Sequence, residues 1–192
     1  LKVIFYIITC LVGWWNLMKI YAFILTISLV GISSVAVAQT CNSNVTRVVP
    51  DSRYELLLDG SEVRDKRTGL IWQRCSLGQT WVKISNTDEY TCSGNANNYI
   101  WAEALKAAKE IDNGYRLPNI KELQSLVEEA CEANALNEKI FPNTVGANYY
   151  YWSSSSNARN GNLAWSVRFY DGYSGNDSKM NKNYVRLVRG GR

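Results

Sequence analysis

The sequence contains no histidine. That absence removes Ser–His–Asp triads, imidazole general bases and every His-ligated metal site. Its five cysteines include no C-x-x-C pair, the spacing on which most zinc ribbons are built. A large charge of either sign is missing too. With 21 basic and 17 acidic side chains, the formal net charge is only +4, and no nucleic-acid partner is expected. The charge is unevenly spread, acids outnumbering bases over residues 103–138 and bases outnumbering acids over 159–192. No spacing singles out a pair of carboxylates as acid and base. The chain therefore reads as a non-enzyme without cofactor or metal.

Methionine occurs only at positions 18 and 180, and the first residue is leucine. Translation is expected to start at Met18, with residues 1–17 an upstream extension. Lys19, the apolar run 20–35 and the tripeptide Ala36-Val37-Ala38 then form a signal peptide with an A-x-A cleavage site. Cleavage after Ala38 leaves a single domain over 39–192, with 46% hydrophobic and 20% charged residues in the chain as a whole, a composition suited to an ordinary globular core. The alternative is an uncleaved anchor, the one membrane association foreseen. Cys41 follows Gln39-Thr40, which is not a lipobox. The protein is expected to be exported to the periplasm, the cell surface or the medium.

Setting Cys10 aside, Cys41, Cys75, Cys92 and Cys131 remain, an even number in an exported chain. Four cysteines allow three pairings. Cys75–Cys92, closing a polar insertion, and Cys41–Cys131, tying the N-terminal tail to a central helix, are favoured. The competing reading is a zinc site of four thiolates.

The chain is organised around Gly114-Tyr115-Arg116-Leu117-Pro118-Asn119-Ile120-Lys121-Glu122-Leu123. Leu117 precedes proline and is pushed towards an extended conformation, while Pro118 suits the first turn of a helix. Ile120, Leu123, Leu126, Val127, Ala130 and Cys131 recur at helical spacing, predicting a helix over 118–132 with Glu122, Glu128, Glu129 and Glu132 on its solvated side. Upstream, Trp101, Ala104, Leu105, Ala108 and Ile111 predict a first helix capped by Asn97 or Asn98 and ended by Asn113-Gly114. Residues 42–61 read as a polar lead-in with a turn at Asp59-Gly60. A further turn at Asp65–Gly69 precedes a strand at 70–72, and 78–98 reads as a stapled loop. After Pro142, strands are expected at 149–153, 163–170 and 184–188. In the middle one Trp165, Val167 and Phe169 alternate with Ser166, Arg168 and Tyr170. The fold class is α+β, two central helices with an antiparallel sheet.

Six stretches then match a known family. They are Asp65-Lys66-Arg67-Thr68-Gly69-Leu70-Ile71-Trp72-Gln73, Trp101-Ala102-Glu103-Ala104-Leu105, Arg116 through Leu123, Tyr151-Trp152-Ser153-Ser154, Ala164-Trp165-Ser166-Val167 and Val185-Arg186-Leu187-Val188-Arg189-Gly190. In this order they resemble the C-terminal domain of the Legionella collagen-like adhesin, a family of bacterial exported proteins. The resemblance implies a relation to the C-type-lectin-like fold, with a twisted antiparallel sheet carrying an exposed binding surface. It also implies an adhesin-like role towards sulfated or otherwise anionic glycans, and self-association into oligomers. The chain carries no collagen-like repeat, has Gly114-Tyr115 where many relatives carry Asp-Trp, and lacks the Glu-Pro-Asn motif of calcium-dependent lectins.

Candidate residues follow. Arg116, Arg186 and Arg189 read as structural partners of carboxylates or carbonyls. Trp72, Trp101, Trp152 and Trp165 read as core. The binding surface is placed in the Tyr/Ser/Asn/Gly-rich region 148–184, the palette of antibody loops. Within it Tyr149, Tyr151, Asn160, Arg168, Tyr170, Tyr173 and Asn176 are the expected contacts, with Arg159, Lys179 and Lys182 adding attraction to an anionic glycan. The ligand is expected to be a glycan or a protein. The alternative is a structural or assembly role in the cell envelope.

Overall fold

Two tight turns fold residues 54–73 into a meander, as their Asp-Gly and Asp-Lys-Arg-Thr-Gly sequences direct. The computed structural model describes residues 39–145 and 149–191. The proposed start at Met18, the signal segment and its cleavage site, Cys10 and Asn148 lie outside the described residues. Strand β1 (Thr40–Cys41) comes first and a 3-10 turn (Asp51–Arg53) follows. The meander consists of β2 (Tyr54–Leu57), β3 (Glu62–Asp65) and β4 (Ile71–Gln73). Next come β5 (Thr80–Lys83), β6 (Tyr90–Ser93) and β7 (Asn98–Tyr99), then helices α1 (Trp101–Glu110) and α2 (Ile120–Gln124). The chain closes with β8 (Cys131–Glu132), β9 (Tyr150–Ser156), β10 (Leu163–Arg168), β11 (Ser174–Ser178), β12 (Asn183–Tyr184) and β13 (Val188–Arg189).

Among these, β13-β4-β3-β2 form one antiparallel sheet and β11-β10-β9-β12-β7 another, in which only the β12–β9 pair is parallel. Small ribbons β1–β8 and β5–β6 complete the described strands. The described residues are mostly sheet with two short helices, an α+β architecture held by two disulfides. Both expected pairings are present: Cys41–Cys131 joins β1 to β8, and Cys75–Cys92 fastens the β5–β6 hairpin.

β9 is the middle strand of the larger sheet, and apolar residues cover both of its faces. Tyr151 packs with Trp72, Leu123, Leu126, Phe141 and Val167 in one cluster. Trp152 packs with Ala104 and Ala108 of α1 and with Leu117, Val185 and Leu187 in the other. The segment 183–189 passes between the two sheets, so the strand expected at 184–188 is divided into β12 and β13. Arg186, between those strands, is fully buried.

The expected second helix is much shorter. Asn119 caps it, its Oδ1 accepting the Glu122 N–H at 2.9 Å while Glu122 Oε2 accepts the Asn119 N–H at 2.8 Å. It ends at Gln124 because Glu128, expected on a solvated face, is fully buried and accepts the N–H groups of Val48, Val49 and Ala130. Glu122 is not a free surface charge either, since Arg116 grips both its oxygens at 2.7 Å. Helix α1 begins later than expected. Asn98 lies in β7, Ile100 is the N-cap, and Glu103 accepts the Ile100 N–H at 3.3 Å. The lead-in at 42–61 contains β2, and the stapled loop contains the β5–β6 hairpin. The β10–β9 register shifts between Ala164 and Ser166, where the extra residues lie on β9; Ser166 is buried and Trp165 is half-buried, as Trp101 is.

Candidate functional site

The expected contact residues fall on β9, β10, β11 and their loops. β10 pairs with β11 so that Val167 faces Ser174 at one end and Leu163 faces Ser178 at the other. Six residues of strand separate the two ends by about 17 Å. The residues placed together on one surface from sequence are divided between these ends.

At the first end Arg168 is the centre. Its Nε donates to Asp171 Oδ1 at 3.0 Å and its Nη2 to Asp171 Oδ2 at 2.5 Å, a bidentate pair across the turn. Its Cζ lies 5.5 Å from the Tyr150 ring centroid and 5.6 Å from that of Tyr173, so the two phenols flank the guanidinium. Tyr150 is the direct register partner of Arg168 across β9. Tyr173 is 54% exposed, and Tyr170 is the exposed neighbour in the same turn. Two glycines make this arrangement fit. Gly172 has φ +73°, and a Cβ there would sit 2.5 Å from Val127 Cγ1. A Cβ on Gly175 would sit 2.6 Å from the Tyr173 ring, so only glycine lets that ring lie against β11.

The electrostatics follow from the pairing. The Arg168 guanidinium holds the Asp171 carboxyl below the usual carboxylate range, and Asp171 in turn pushes the Arg168 pKa up. An anionic ligand reaches Arg168 only in competition with Asp171, whereas a polar ligand meets two phenol faces and their hydroxyls. The pair is partly solvated, so its direct worth is about 0.2–1 kcal/mol.

At the other end the loop 157–162 is ordered by Asn157, whose Oδ1 accepts the N–H groups of Arg159 and Asn160. Asn157 Nδ2 donates to Asn176 Oδ1 at 2.7 Å, and Asn160 Oδ1 accepts the Asn162 N–H. Lys179 is occupied: its Nζ donates to Ser156 Oγ and Gly161 O and lies 4.1 Å from the Trp101 ring centroid. Arg159 and Lys182 are exposed cations with no ion pair among the described residues.

One expected contact is corrected outright. Tyr151 has no solvent exposure, and its hydroxyl is held by Ser76 Oγ at 2.9 Å and the Val145 N–H at 3.2 Å. Tyr149 is 52% exposed and packs edge-on against Tyr184 at 5.2 Å. Sequence reasoning missed Tyr150 and Asp171. The signal for Tyr150 was available, because one residue of the run Tyr149-Tyr150-Tyr151 has to pair with β10 on its open side. Among the described residues no cluster of three or more Cys, Asp or Glu side chains is placed to hold a metal ion.

The three structural arginines take carbonyls or carboxylates. Arg116 pairs with Glu122, Arg189 Nη2 donates to Glu62 Oε2 at 2.7 Å, and Arg186 donates to Gln73 O, Arg74 O and Thr144 Oγ1. The sequence profile of one family, described as the Lcl C-terminal domain, matches residues 61–189, from the β2–β3 turn to the end of β13. No curated protein and no solved structure matches the chain.

Proposed function

Starting from the fact that the chain belongs to the Lcl C-terminal domain family, we propose that it is an exported binding module that recognises a glycan or protein ligand, without catalysis, through the end of the sheet around Arg168. Membership of the family supports an adhesin-associated role at a surface, and the two disulfides agree with an oxidising, exported location. The observation that carries the reading is the Tyr150–Arg168–Tyr173 group. It is a half-buried guanidinium between two phenol rings, fixed by the bidentate carboxylate of Asp171 in the β10–β11 turn. Such a group offers stacking area and directed hydrogen bonds at little ordering cost. A relation to the C-type-lectin-like fold belongs to the same proposal, supported by two helices packed beside an antiparallel sheet with long polar connections. Arg159 and Lys182 add a salt-sensitive attraction for acidic glycans.

The test is a glycan-array profile of the disulfide-bonded protein at low and physiological salt, repeated with Tyr170, Tyr173 and Arg168 replaced together by alanine. Binding that disappears in the triple variant supports the siting. Retention of full binding overturns it. A blank array for the parent protein moves the weight to a protein ligand or to an assembly role in the envelope.

A further inference from the structure

A second surface lies away from the Arg168 end, between the disulfide-fastened hairpin and the β2–β3 turn. It is a groove of about 570 Å³ whose floor includes Tyr54, Arg74, Trp81 and Ile140, with Leu56 and Tyr90 at its sides. Its volume is that of a ligand site. The Trp81 and Tyr90 rings are stacked, 12° from parallel with centroids 5.9 Å apart, and Tyr90 remains 41% exposed. Leu56 is 59% exposed on β2, and Leu58 at the adjoining turn is 83% exposed with φ +52°. These are large apolar groups held in the open beside a concave surface, the arrangement expected where a partner covers them.

The charges of the groove are one-sided. Asp51, Asp59, Asp88, Glu89 and Glu138 line it, against Arg74 and Lys139. Both cations are already engaged. Lys139 pairs with Asp51 at 2.9 Å, and Arg74 spends its donors on the carbonyls of Ile140, Gly60 and Lys139 while packing 4.2 Å from the Trp81 centroid. Asp88 pairs with Lys83 at 3.0 Å. Asp59, Glu89 and Glu138 have no ion pair among the described residues. Three uncompensated carboxylates therefore surround an aromatic and aliphatic patch.

We propose that this groove binds a basic segment of a partner protein, an extended peptide in which lysine or arginine alternates with apolar residues. The apolar side chains cover Leu56 and the Tyr90 ring, and the cationic heads meet Asp59, Glu89 and Glu138. The long stems of lysine and arginine suit such a surface, because they pack on apolar area while keeping the charge at the rim. Charge complementarity sets the choice of occupant: an acidic or phosphorylated segment meets like charge on every open side. This site is independent of the Arg168 surface.

The test is fluorescence anisotropy of the disulfide-bonded protein with a labelled decapeptide of alternating Lys and Leu, at about 20 and 150 mM salt. A Glu/Leu decapeptide and spermine serve as competitors. The Lys/Leu peptide is expected to bind, more weakly at the higher salt. The variant Asp59→Asn/Glu89→Gln/Glu138→Gln is expected to lose about tenfold in affinity, and Tyr90→Ala about fivefold. The charge-matched variant Glu110→Gln/Asp112→Asn/Glu129→Gln, altered outside the groove, is expected to bind within about twofold of the parent. No binding of the Lys/Leu peptide, or equal losses in the two triple variants, overturns the proposal. So does displacement by spermine at concentrations equal to those of unlabelled peptide, since a bare polyamine then suffices.

Discussion

The buried carboxylate of Glu128 accepts the main-chain N–H of Val49 at 3.1 Å, joining segments 79 positions apart in sequence. The same carboxylate takes the N–H groups of Val48 and Ala130 and the Nε of Arg47. It is the hub that fixes the N-terminal segment against the turn after α2. Replacing Glu128 by alanine orphans three N–H groups around a cavity. The expected cost is about 3–5 kcal/mol, read as a lower urea midpoint at unchanged slope. A full retention of stability would show that water replaces the carboxylate.

The acid limb of the stability curve follows from Glu128 and Asp65. Burial alone would raise both pKa values. The N–H groups around Glu128, and the Arg53 guanidinium with Thr68 around Asp65, outweigh burial and hold both below their ordinary values of 4.5 and 3.8. Their folded pKa values therefore lie below the unfolded ones. The stabilisation is complete above about pH 4.5 and is lost as the pH falls through the depressed folded values. Urea midpoints are expected to be flat from neutral pH to about 5 and to fall steeply below 4, less steeply in Glu128→Gln. An unchanged acid limb in that variant would assign the loss to Asp65.

Arg186 is buried and forms no ion pair among the described residues, and burial pulls its pKa down. Its fork serves the carbonyls of Gln73 and Arg74 and the hydroxyls of Thr144 and Ser76, with the Phe141 ring 4.7 Å from Cζ. A lysine has one nitrogen to offer these acceptors. Arg186→Lys is expected to cost about 2–4 kcal/mol despite keeping the charge, measured by thermal and urea unfolding. A cost under about 1 kcal/mol would mean that charge and not geometry matters there.

How much of this was legible in the sequence depends on the range of the forces involved. Turn chemistry at Asp59-Gly60 and Asp65–Gly69 and the cysteine parity are set by neighbours in sequence and could be read directly, and the start of α2 to within two residues, since Asn119 and not Pro118 opens it. The apolar positions 123, 126, 130 and 131 were identified as buried, but not the path that buries them. Glu128 stops the helix through partners 80 residues away, which no local pattern reveals. Tyr151 was misplaced for a related reason. A strand with a core on each face has no polar side, so alternation does not tell its open residues from its closed ones. The Arg168–Asp171 pair was legible only in part, because the arginine stood out while its acid looked like an ordinary turn residue.

Gly175 offers a way to separate the proposed binding role of Tyr173 from its folding role. Gly175→Ala brings a methyl group to 2.6 Å from the Tyr173 ring and forces the ring off β11. Stability is expected to change by less than about 2 kcal/mol, while affinity at the Arg168 surface falls about fivefold or more. Unaltered affinity in a folded Gly175→Ala protein would remove Tyr173 from the contact set.

The disulfides differ in reach. Their closed loops span 17 and 90 positions, so the chain-entropy argument assigns about 3 kcal/mol to Cys75–Cys92 and about 4.5 kcal/mol to Cys41–Cys131. Replacing each pair by serine and comparing urea midpoints tests the order. A larger loss from the shorter loop would show that the hairpin's packing on Arg74 outweighs loop closure.

The longer bridge also has a mechanical meaning. A pull applied ahead of Cys41 passes through the S–S bond directly to Cys131 and bypasses the chain between them. The enclosed residues, close to half of the polypeptide, cannot be drawn out while the bond is intact. About 300 Å of contour length is thereby locked away from extension. For a module under tension at a surface, as proposed above, the chain yields beyond Cys131, in about the last third of the sequence, which carries Arg168. With the ligand sited as proposed, tension and ligand meet on the same strands, and reduction of a single bond would more than double the length the molecule can pay out.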